Sequence, residues 1–553
     1  MDKVIENRKC KNCEKSFDIV EWDTNFYKKF DVPFPTQCPE CRTQRRQAQL
    51  NQMNLFKRKC DGTGEDIMTI YPPEYKGKVY SQKYWGGDKH DGTDYGRDYD
   101  FNRPFFEQFD ELRRSTPQAA LFTNFVQDEN SEFTNCAGKN RNCYMIFDSD
   151  EDWDCLYSAG MNKSKSSMDC YRVQDVELCY ELIDCKNCYN CYYSHKSDNC
   201  SDSIFLNNCI GCKNCIYCSN MKNKEYHIFN EPVPKERYEE IKKSLGSYSN
   251  LMDKLAKFKE FRLHYPQRFM RGYQNENVIG DYLVNCKNAI HTFDSMNCWD
   301  TKYCTQAFIK ARDMMDCEEC GESEMLYEST NIAYNGYNLR FTVQGMQQCK
   351  DLTYCHYCMS SSDLFGCSSL KKKKYCILNK QYTEEQYKEL VPKIIEHMRS
   401  TGEWGELFPI EIALFPYNLS VAQERHPLTK EEALAKGYAW RDKDNKEYQE
   451  QTFETPDDIK DVEDSVTDEM LACKDCGRNY KIMPYELKLL RQLNLPIPRQ
   501  CFYCRHDIRR NSRNSRVMHD RTCDQCGIDI KTTYAPEQPE IVYCEKCYQE
   551  SLV

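Results

Sequence analysis

The cysteines in the middle of the chain are spaced in multiples of three residues. The twelve cysteines from Cys143 to Cys218 all share one phase of three. An α-helix cannot keep such a stripe on one face, because the stripe drifts by about 60° with every triplet. A flat strand cannot do so either, because its side chains alternate with a period of two. One residue in three therefore points into a core that is built from neither element.

A second period, of 21 residues, separates Cys170, Cys191 and Cys212. Seven triplets would then complete one coil, so the pattern predicts a stacked β-solenoid with about 21 residues per coil and a ladder of buried thiols. Residues 283–380 show the same spacing of cysteines in multiples of three, less strictly and with a one-residue insertion before Cys317. The predicted fold class is mainly β with α connectors, with two Cys-ladder β-solenoids between the chain ends.

The two ends are copies of one module at a constant offset of 463 residues, as 473 − 10 shows for the first cysteine of each copy. Both copies contain C-x2-C-x24-C-x2-C, whose two thiolate pairs form the tetrahedral sulfur set that structural Zn²⁺ prefers. The C-terminal copy adds a second set. About three Zn²⁺ are therefore predicted, with these ligands: Cys10, Cys13, Cys38, Cys41, Cys473, Cys476, Cys501, Cys504, Cys523, Cys526, Cys544 and Cys547.

The N-terminal copy lacks the second set. The counterparts of Cys523, Cys526, Cys544 and Cys547 are Cys60, Thr63, Ser81 and Tyr84. A single thiol cannot hold Zn²⁺, so this half of the module is predicted to be metal-free, with Tyr80 and Tyr84 filling the space of the missing ligands.

The modules resemble the zinc-ribbon family of short treble-clef-like domains, through Cys10-Lys-Asn-Cys13 followed by Phe17, and through Cys38-Pro-Glu-Cys41-Arg42. The whole chain is similar to large Cys-rich bacterial proteins of uncharacterised function that flank a repetitive middle with such modules. The resemblance implies zinc and the fold of the ends, and it implies no activity.

Seven segments follow from these patterns. Helical connectors are expected over 103–115 and 234–263, and capping boxes are expected at Thr383 and Thr429. The segments are a zinc module (1–90), a helical connector (91–130), solenoid I (131–230), a helical cap and linker (231–282), solenoid II (283–380), a capping helix with a flexible acidic linker (381–470) and a double zinc module (471–553).

The net charge of −11 argues against a surface that binds nucleic acid throughout. Basic residues are concentrated in the modules, and phosphate contacts are predicted for their arginines, with a solvated helix face or pairing with the acidic linker as the alternative. The predicted nucleic-acid-binding residues are Arg42, Arg45, Arg46, Arg505, Arg509, Arg510, Arg513 and Arg516.

Electron transfer and catalysis are the weaker alternatives. Cys209, Cys212, Cys215 and Cys218 superficially match a ferredoxin run, but the bacterial pattern spaces its fourth cysteine by three residues and follows it with proline. Common catalytic motifs are absent from the sequence. The acidic cluster 148–154 would serve a polysaccharide-cleaving solenoid only by analogy of fold. Buried, inert thiols and a non-enzymatic protein are expected.

The predicted function is a zinc-binding scaffold that contacts RNA or a ribonucleoprotein surface, with possible protein partners on the solenoid faces. Its rival is a scaffold for protein–protein interaction alone. The sequence contains no run of about 18 apolar residues and no apolar segment behind its first lysine, so neither a membrane span nor a secretory signal is expected. Without a secretory signal the expected location is the reducing cytoplasm, where metal ligation or thiol packing is expected for the 36 cysteines and a disulfide framework is not.

Overall fold

The computed structural model describes residues 3–124, 127–442 and 448–552. The chain divides into two compact units, each built from two separate stretches of sequence. Unit 1 comprises Met1–Phe122 and Arg271–Asp442, and unit 2 comprises Thr123–Met270 and Lys443–Val553. Each unit therefore combines one Cys-rich terminal module with the Cys-rich repeat that lies farther from it in sequence.

The repeat of unit 2, called here the first ladder, pairs with itself in parallel. Its pairing partners are twelve residues apart, as in Leu156↔Met168, Met168↔Tyr180 and Tyr180↔Tyr192. An antiparallel strand closes its end. The strands are Thr123–Asn124, Phe133–Gly138, Tyr144–Asp150, Leu156–Asn162, Tyr171–Gln174, Ile204–Asn207, Ile216–Ser219, His227–Ile228 and Glu231–Pro232.

The backbone explains the period of three. Every third residue of the first ladder has a positive φ, for example Asp169 (55°), Arg172 (57°) and Asp175 (51°). One left-handed residue per triplet bends the chain directly before each inward side chain, and the many Asn and Asp residues at these positions are the non-glycine residues that tolerate this conformation best. The inward residues, Cys170 and Val173 among them, are buried in one core cluster.

The predicted coil of 21 residues is wrong. The observed offset of twelve is four triplets, so the residue that neighbours Cys170 in the next turn is Leu182, whose carbonyl accepts from the N–H of Tyr171, and not Cys191. Any multiple of three keeps a cysteine in the inward phase. The recurrence of cysteine at 21 residues therefore identified the phase but not the number of triplets in one turn.

The repeat of unit 1, the second ladder, forms a mostly parallel sheet of 14 strands. Its offset is twelve in places, as in Leu352↔Leu364, and thirteen at Ala307↔Cys320, where the sequence predicts a one-residue insertion. The offset is also thirteen at Leu326↔Leu339 and eleven at Gly272↔Leu283. The strands are Gly272–Tyr273, Glu276–Val284, Lys287–Met296, Cys298–Lys302, Thr305–Phe308, Ala311–Met315, Glu318–Gly321, Glu324–Tyr327, Thr330–Ile332, Tyr337–Arg340, Lys350–Thr353, Ser362–Phe365, Lys374–Ile377 and Lys380–Gln381.

Small polar side chains occupy the ladder interiors because they can bond to the backbone there. Ser158 Oγ accepts from the N–H of Cys170 at 2.9 Å, twelve residues on. Interior thiols have backbone acceptors as well: Cys188 Sγ lies 3.4 Å from the carbonyl oxygens of both Lys186 and Ser197, and its single proton can be donated to either. Burial raises the pKa of Cys170 to about 12, which keeps this interior thiol protonated and unreactive.

The predicted helices are confirmed. The expected segment 103–115 is the helix Phe105–Ser115, and the segment 234–263 forms two helices separated by a 3₁₀ turn. Thr383 and Thr429 both make capping boxes. The ladder-associated helices and turns are Phe105–Ser115, Lys235–Lys243, Ser244–Gly246, Tyr248–Arg262, Glu384–Thr401, Ile410–Ile412, Tyr417–Leu419, Val421–Arg425 and Lys430–Ala435.

The N-terminal module consists of short antiparallel hairpins, each leading into a short helix. Val4–Lys9 pairs with Ser16–Val20, and Phe56–Lys59 pairs with Asp66–Thr69. Val79–Tyr80 pairs in parallel with Gln118–Ala119. The helices and 3₁₀ turn of this region are Glu21–Lys29, Pro39–Gln47, Gln82–Gly86 and Gly92–Tyr95.

The C-terminal module repeats this layout. Leu471–Ala472 pairs with Asn479–Tyr480, and His519–Thr522 pairs with Asp529–Thr532. Val542–Tyr543 pairs in parallel with Gln267–Arg268. The helices are Pro484–Leu493, Phe502–Asn511 and Glu545–Glu550.

The acidic stretch 441–469, which the sequence predicts to be a flexible linker, is largely packed within unit 2 over its described residues from 448 onward. Residues 443–447 lie outside the described residues. Beyond them, Ile459–Asp461 and Asp464–Thr467 form 3₁₀ turns with Ile459 and Val466 buried. Asp457 also accepts from the backbone N–H of Ser249 at 3.0 Å. Apolar residues interspersed among the acids anchor this stretch.

Candidate metal centres and their arginine helices

Three groups of four cysteines come together as the spacing predicted. Within each group the four Sγ atoms lie within 4.8 Å of one another. A tetrahedral ion with bonds of about 2.3 Å separates its sulfur ligands by about 3.8 Å. The measured Sγ–Sγ distances are 3.7 Å for Cys13–Cys38, 3.7 Å for Cys476–Cys501 and 3.8 Å for Cys526–Cys544. Each group can therefore hold one metal ion, and the thiolate set fits Zn²⁺.

The first pair of ligands in each group sits on a tight turn between two strands. The N–H of Cys473 donates to the carbonyl of Arg478, and the N–H of Gly477 donates to the carbonyl of Cys473, both at 2.9 Å. Gly477 has a φ of 73°, a conformation suited to glycine. In the first group Glu14 takes this place with a φ of 61°.

The second pair of ligands begins a helix. Cys38 is the N-cap of Pro39–Gln47, and Cys501 is the N-cap of Phe502–Asn511. The helices Pro39–Gln47 and Phe502–Asn511 are called here the N-terminal and the C-terminal arginine helix, respectively. A thiolate at a helix N-terminus is favoured by the helix dipole and by the unpaired N–H groups of the first turn.

One thiol of each group ionises easily. The neighbouring Cys41 thiol lowers the pKa of Cys38 to about 5. Burial opposes ionisation of Cys473 and Cys523, but backbone N–H groups directed at their sulfurs outweigh it and lower their pKa values to about 7 and about 6. Such cysteines are suited to ligate a cation, because metal binding requires thiolates.

Residues 60–84, the counterpart of the third metal group, keep the backbone of a metal site but only one of its four cysteines, Cys60. The N–H of Ser81 donates to Cys60 Sγ at 3.2 Å, as the N–H of Cys544 does to Cys523 Sγ in the other copy. The ring of Tyr84 lies directly against Gly62, where an added Cβ atom would be only 2.5 Å from the ring. The Tyr84 ring also packs on Tyr80, with the ring centroids 4.8 Å apart. Among the described residues this position forms no group of potential metal ligands.

The arginine helices turn their guanidinium groups toward the ladders and not toward solvent. In unit 1, Arg42 Nε lies 2.9 Å from Asp316 Oδ2, and Arg46 Nη1 lies 3.2 Å from Asp316 Oδ1. Arg45 bridges Glu328 at 2.7 Å and Glu406 at 2.6 Å. The positive charge of this helix is therefore neutralised inside unit 1.

Unit 2 repeats the arrangement. Arg509 contacts Asp169 at 2.9 Å and Glu181 at 2.8 Å, and Arg505 contacts Asp169 at 3.2 Å. Arg513 Nε lies 3.0 Å from Asp184 Oδ2. Carboxylates of the first ladder thus neutralise the C-terminal arginine helix.

Burial of these side chains does not fit the predicted phosphate contacts. Arg42, Arg45, Arg46, Arg505 and Arg509 are 1–5% exposed, so they have no surface on which to receive a phosphate backbone. The two predicted alternatives, a solvated helix face and pairing with the acidic linker, do not hold for these five residues either. Their partners are Asp316, Glu328, Glu406, Asp169 and Glu181. Of the remaining predicted residues, Arg510 pairs with Asp507 at 3.1 Å, Arg513 with Asp184, and Arg516 is partly buried.

The sequence patterns missed the carboxylates of this contact. Asp169 and Glu181 are twelve residues apart, as are Asp316 and Glu328, and all four have positive φ values. They therefore occupy the left-handed position of their triplets in consecutive turns. The sequence does contain a signal for this contact, because in both repeats an aspartate is followed twelve residues later by a glutamate. This spacing can be interpreted only when the offset of twelve between paired residues is known.

The acidic cluster 148–154 is divided among structural roles. Asp148 pairs with Arg172 at 3.0 Å, and Glu151 pairs with Lys139 at 3.2 Å. Asp152 points into the ladder core, where it is fully buried. The cluster does not converge on one site.

No protein-family model matches the chain, and no curated protein is significantly similar to it. Among the described residues, no helix combines the length and the apolar composition that a membrane crossing requires.

Proposed function

We propose that this protein is a non-enzymatic scaffold for protein partners, in which zinc is structural. Three closed Cys₄ sets would each bind one Zn²⁺ with no open position, so the metal would shape the module and would not act as a Lewis acid. The modules would be treble-clef-like, and each ladder would be a wound β-solenoid of about twelve residues per turn. The location would be the reducing cytoplasm, because twelve ligand thiols must stay reduced.

The observation that carries this proposal is the burial of the arginine pairs against the ladders. A helix that begins at two metal ligands, Cys38 and Cys41, places Arg42 and Arg46 on carboxylates of the ladder. The metal would thereby hold the helix, and the helix would clamp consecutive turns of the ladder. Basic residues that serve this purpose are not available for RNA.

The surface left for partners lies on the ladders. One column of the first ladder consists of side chains that repeat every twelve residues, and Trp153 and Tyr189 in it are 46% and 47% exposed. Lys165 lies between them in the same column, with Nζ 4.7 Å from the Trp153 ring. Aromatic and charged groups in one line suit a protein partner of complementary charge.

Metal analysis and a binding assay test the proposal together. The full chain should contain about three Zn²⁺, and chelation should lower the temperature at which the β signal in circular dichroism is lost. Full-length protein should show no salt-sensitive binding to single-stranded or double-stranded RNA or DNA. Salt-dependent RNA binding that disappears on neutralising Arg510 and Arg516 would instead support the nucleic-acid function, and iron with absorption near 400 nm would support electron transfer.

A further inference from the structure

The two units use corresponding arginines to join a module to a ladder. In both, two arginines contact the aspartate, whereas the glutamate is held by Arg509 in unit 2 and mainly by Arg45 in unit 1. Arg42 and Arg46 are the counterparts of Arg505 and Arg509 at the offset of 463, and both pairs are four residues apart on a helix. Side chains four apart on a helix are separated by about 5–6 Å, which is close to the spacing of about 4.8 Å between neighbouring strands. Such a pair therefore fits two acids that lie in consecutive turns of a ladder.

These shared pairs cannot distinguish the two modules. Asp316 and Glu328 in the second ladder match Asp169 and Glu181 in the first, with the same aspartate-to-glutamate order and the same spacing of twelve. The N-terminal arginine helix would find equivalent acids on the first ladder. Another contact must determine which module docks on which ladder.

Two positions of the contact differ in charge between the units. Arg45, which pairs with Glu328, has Ile508 as its counterpart, but the first ladder offers Arg45 an equivalent acid, Glu181.

The second position is that of Arg513. Arg513 and Asp184 form an ion pair whose side chains are 8% and 3% exposed. The counterpart of Arg513 at the offset of 463 is Leu50, which is 2% exposed. The counterpart of Asp184, three residues after the matching glutamate, is Asn331, which is 4% exposed.

We infer that the Arg513–Asp184 ion pair, which has no charged counterpart at Leu50 and Asn331, directs each metal module to its own ladder. In the exchanged arrangement Leu50 would cover Asp184, and Arg513 would face Asn331, whose amide donates to Glu319 at 2.7 Å. The first ladder would then bury Asp184 without its counter-charge, which is strongly unfavourable and is a common means of rejecting a wrong partner. Each ladder is thus a docking surface for a helix with two arginines four residues apart, and the next buried position selects the module. This inference concerns assembly and goes beyond the proposed function.

The test refolds the full chain from denaturant with Zn²⁺ and then applies a carbodiimide, which joins a lysine directly to a carboxylate. Lys29 Nζ lies 2.9 Å from Asp313 Oδ2, both partly exposed, so this cross-link reports the N-terminal module on the second ladder. Wild-type protein should give this cross-link equally before and after refolding. The variant Asp184→Asn/Arg513→Leu should lose at least half of it on refolding and gain cross-links between residues 471–552 and the second ladder.

The matched control is Asp520→Asn/Lys531→Leu, which removes an exposed ion pair of the same module and should leave the cross-links unchanged. Each single variant at Asp184 or Arg513 should lower the urea midpoint more than the double variant does, because the double variant removes both charges together and leaves neither one unpaired. Native cross-links at full yield from the refolded double variant would overturn the inference, as would the absence of any coupling between the two single substitutions. If the double variant does not refold, Asp184→Glu/Arg513→Lys, which keeps both charges, must retain native cross-links.

Discussion

Arg42 and Asp316 form an ion pair of 2.9 Å in which the two side chains are 1% and 0% exposed. Arg42 directly follows the candidate metal ligand Cys41, and Asp316 lies on the second ladder. Because Arg42 is the residue next to Cys41, this ion pair connects the metal centre directly to the second ladder. Arg505, which directly follows Cys504, makes the equivalent contact with Asp169 in unit 2.

Removing Asp316 should therefore destabilise unit 1 strongly. The substitution Asp316→Ala removes the nearest carboxylate from the buried Arg42 and Arg46 guanidinium groups and leaves Glu328 at 3.9 Å from each. Breaking a buried pair costs about 3–5 kcal/mol. Urea unfolding followed by circular dichroism measures the change. The control Asp520→Ala breaks an exposed pair with Lys531 and should leave the midpoint unchanged. Equal midpoints for the two variants would show that the buried pair does not hold the module on the ladder.

The two copies of the module provide a matched pair for metal content. Cys523→Ser should lower the zinc content by one ion per chain, because it removes a ligand from a complete set. Cys60→Ser, at the counterpart position, should leave the zinc content unchanged. Elemental analysis of the purified variants measures both values. Loss of one zinc from the Cys60 variant would contradict the assignment of that half-module as metal-free.

The metal-free half-module should accept a metal when its ligands are restored. Val79 donates its N–H to Asp61 Oδ2 at 2.7 Å, and Val542 makes the same bond to Asp524 Oδ2 at 2.6 Å, so the two backbones match around the site. The triple substitution Thr63→Cys/Ser81→Cys/Tyr84→Cys should raise the zinc content by one ion per chain. The double substitution that keeps Tyr84 leaves the ring in place and should raise it by none.

Asp152 should make the stability of unit 2 depend on pH. Burial raises its pKa well above the usual 3.8, and Asp152 Oδ1 accepts from the N–H of Ser164 while Oδ2 has no partner among the described residues. A carboxyl whose folded pKa is raised stabilises the fold fully below the unfolded pKa, and this contribution is lost as pH rises through the folded pKa.

The unfolding free energy of the wild type should therefore fall as pH rises above about 4, with a slope of up to about 1.4 kcal/mol per pH unit from this group. Asp152→Asn has nearly the same shape and should remove that part of the slope. Asn140, twelve residues earlier, already makes the equivalent bond to the N–H of Asp152 at 2.9 Å with an amide. Parallel pH profiles for the variant and the wild type would show that Asp152 does not carry the effect.

The sequence by itself determined the local features of this protein. The C-x2-C spacings identified the three metal-capable groups, because a tight turn and a helix N-terminus form from adjacent residues. The cysteines at intervals of three identified the inward positions, because one left-handed residue per triplet is also a local property. The capping boxes at Thr383 and Thr429 were predicted for the same reason.

Only the tertiary structure decided how many triplets make a turn and which module belongs to which ladder. Inward phase is preserved by 12 and by 21 residues alike, so the offset of twelve depends on how consecutive turns pair and pack. The partners Arg42 and Asp316 are 274 residues apart in sequence, and nothing local marks them as a pair. The arginines therefore resembled a nucleic-acid surface until the fold placed carboxylates around them.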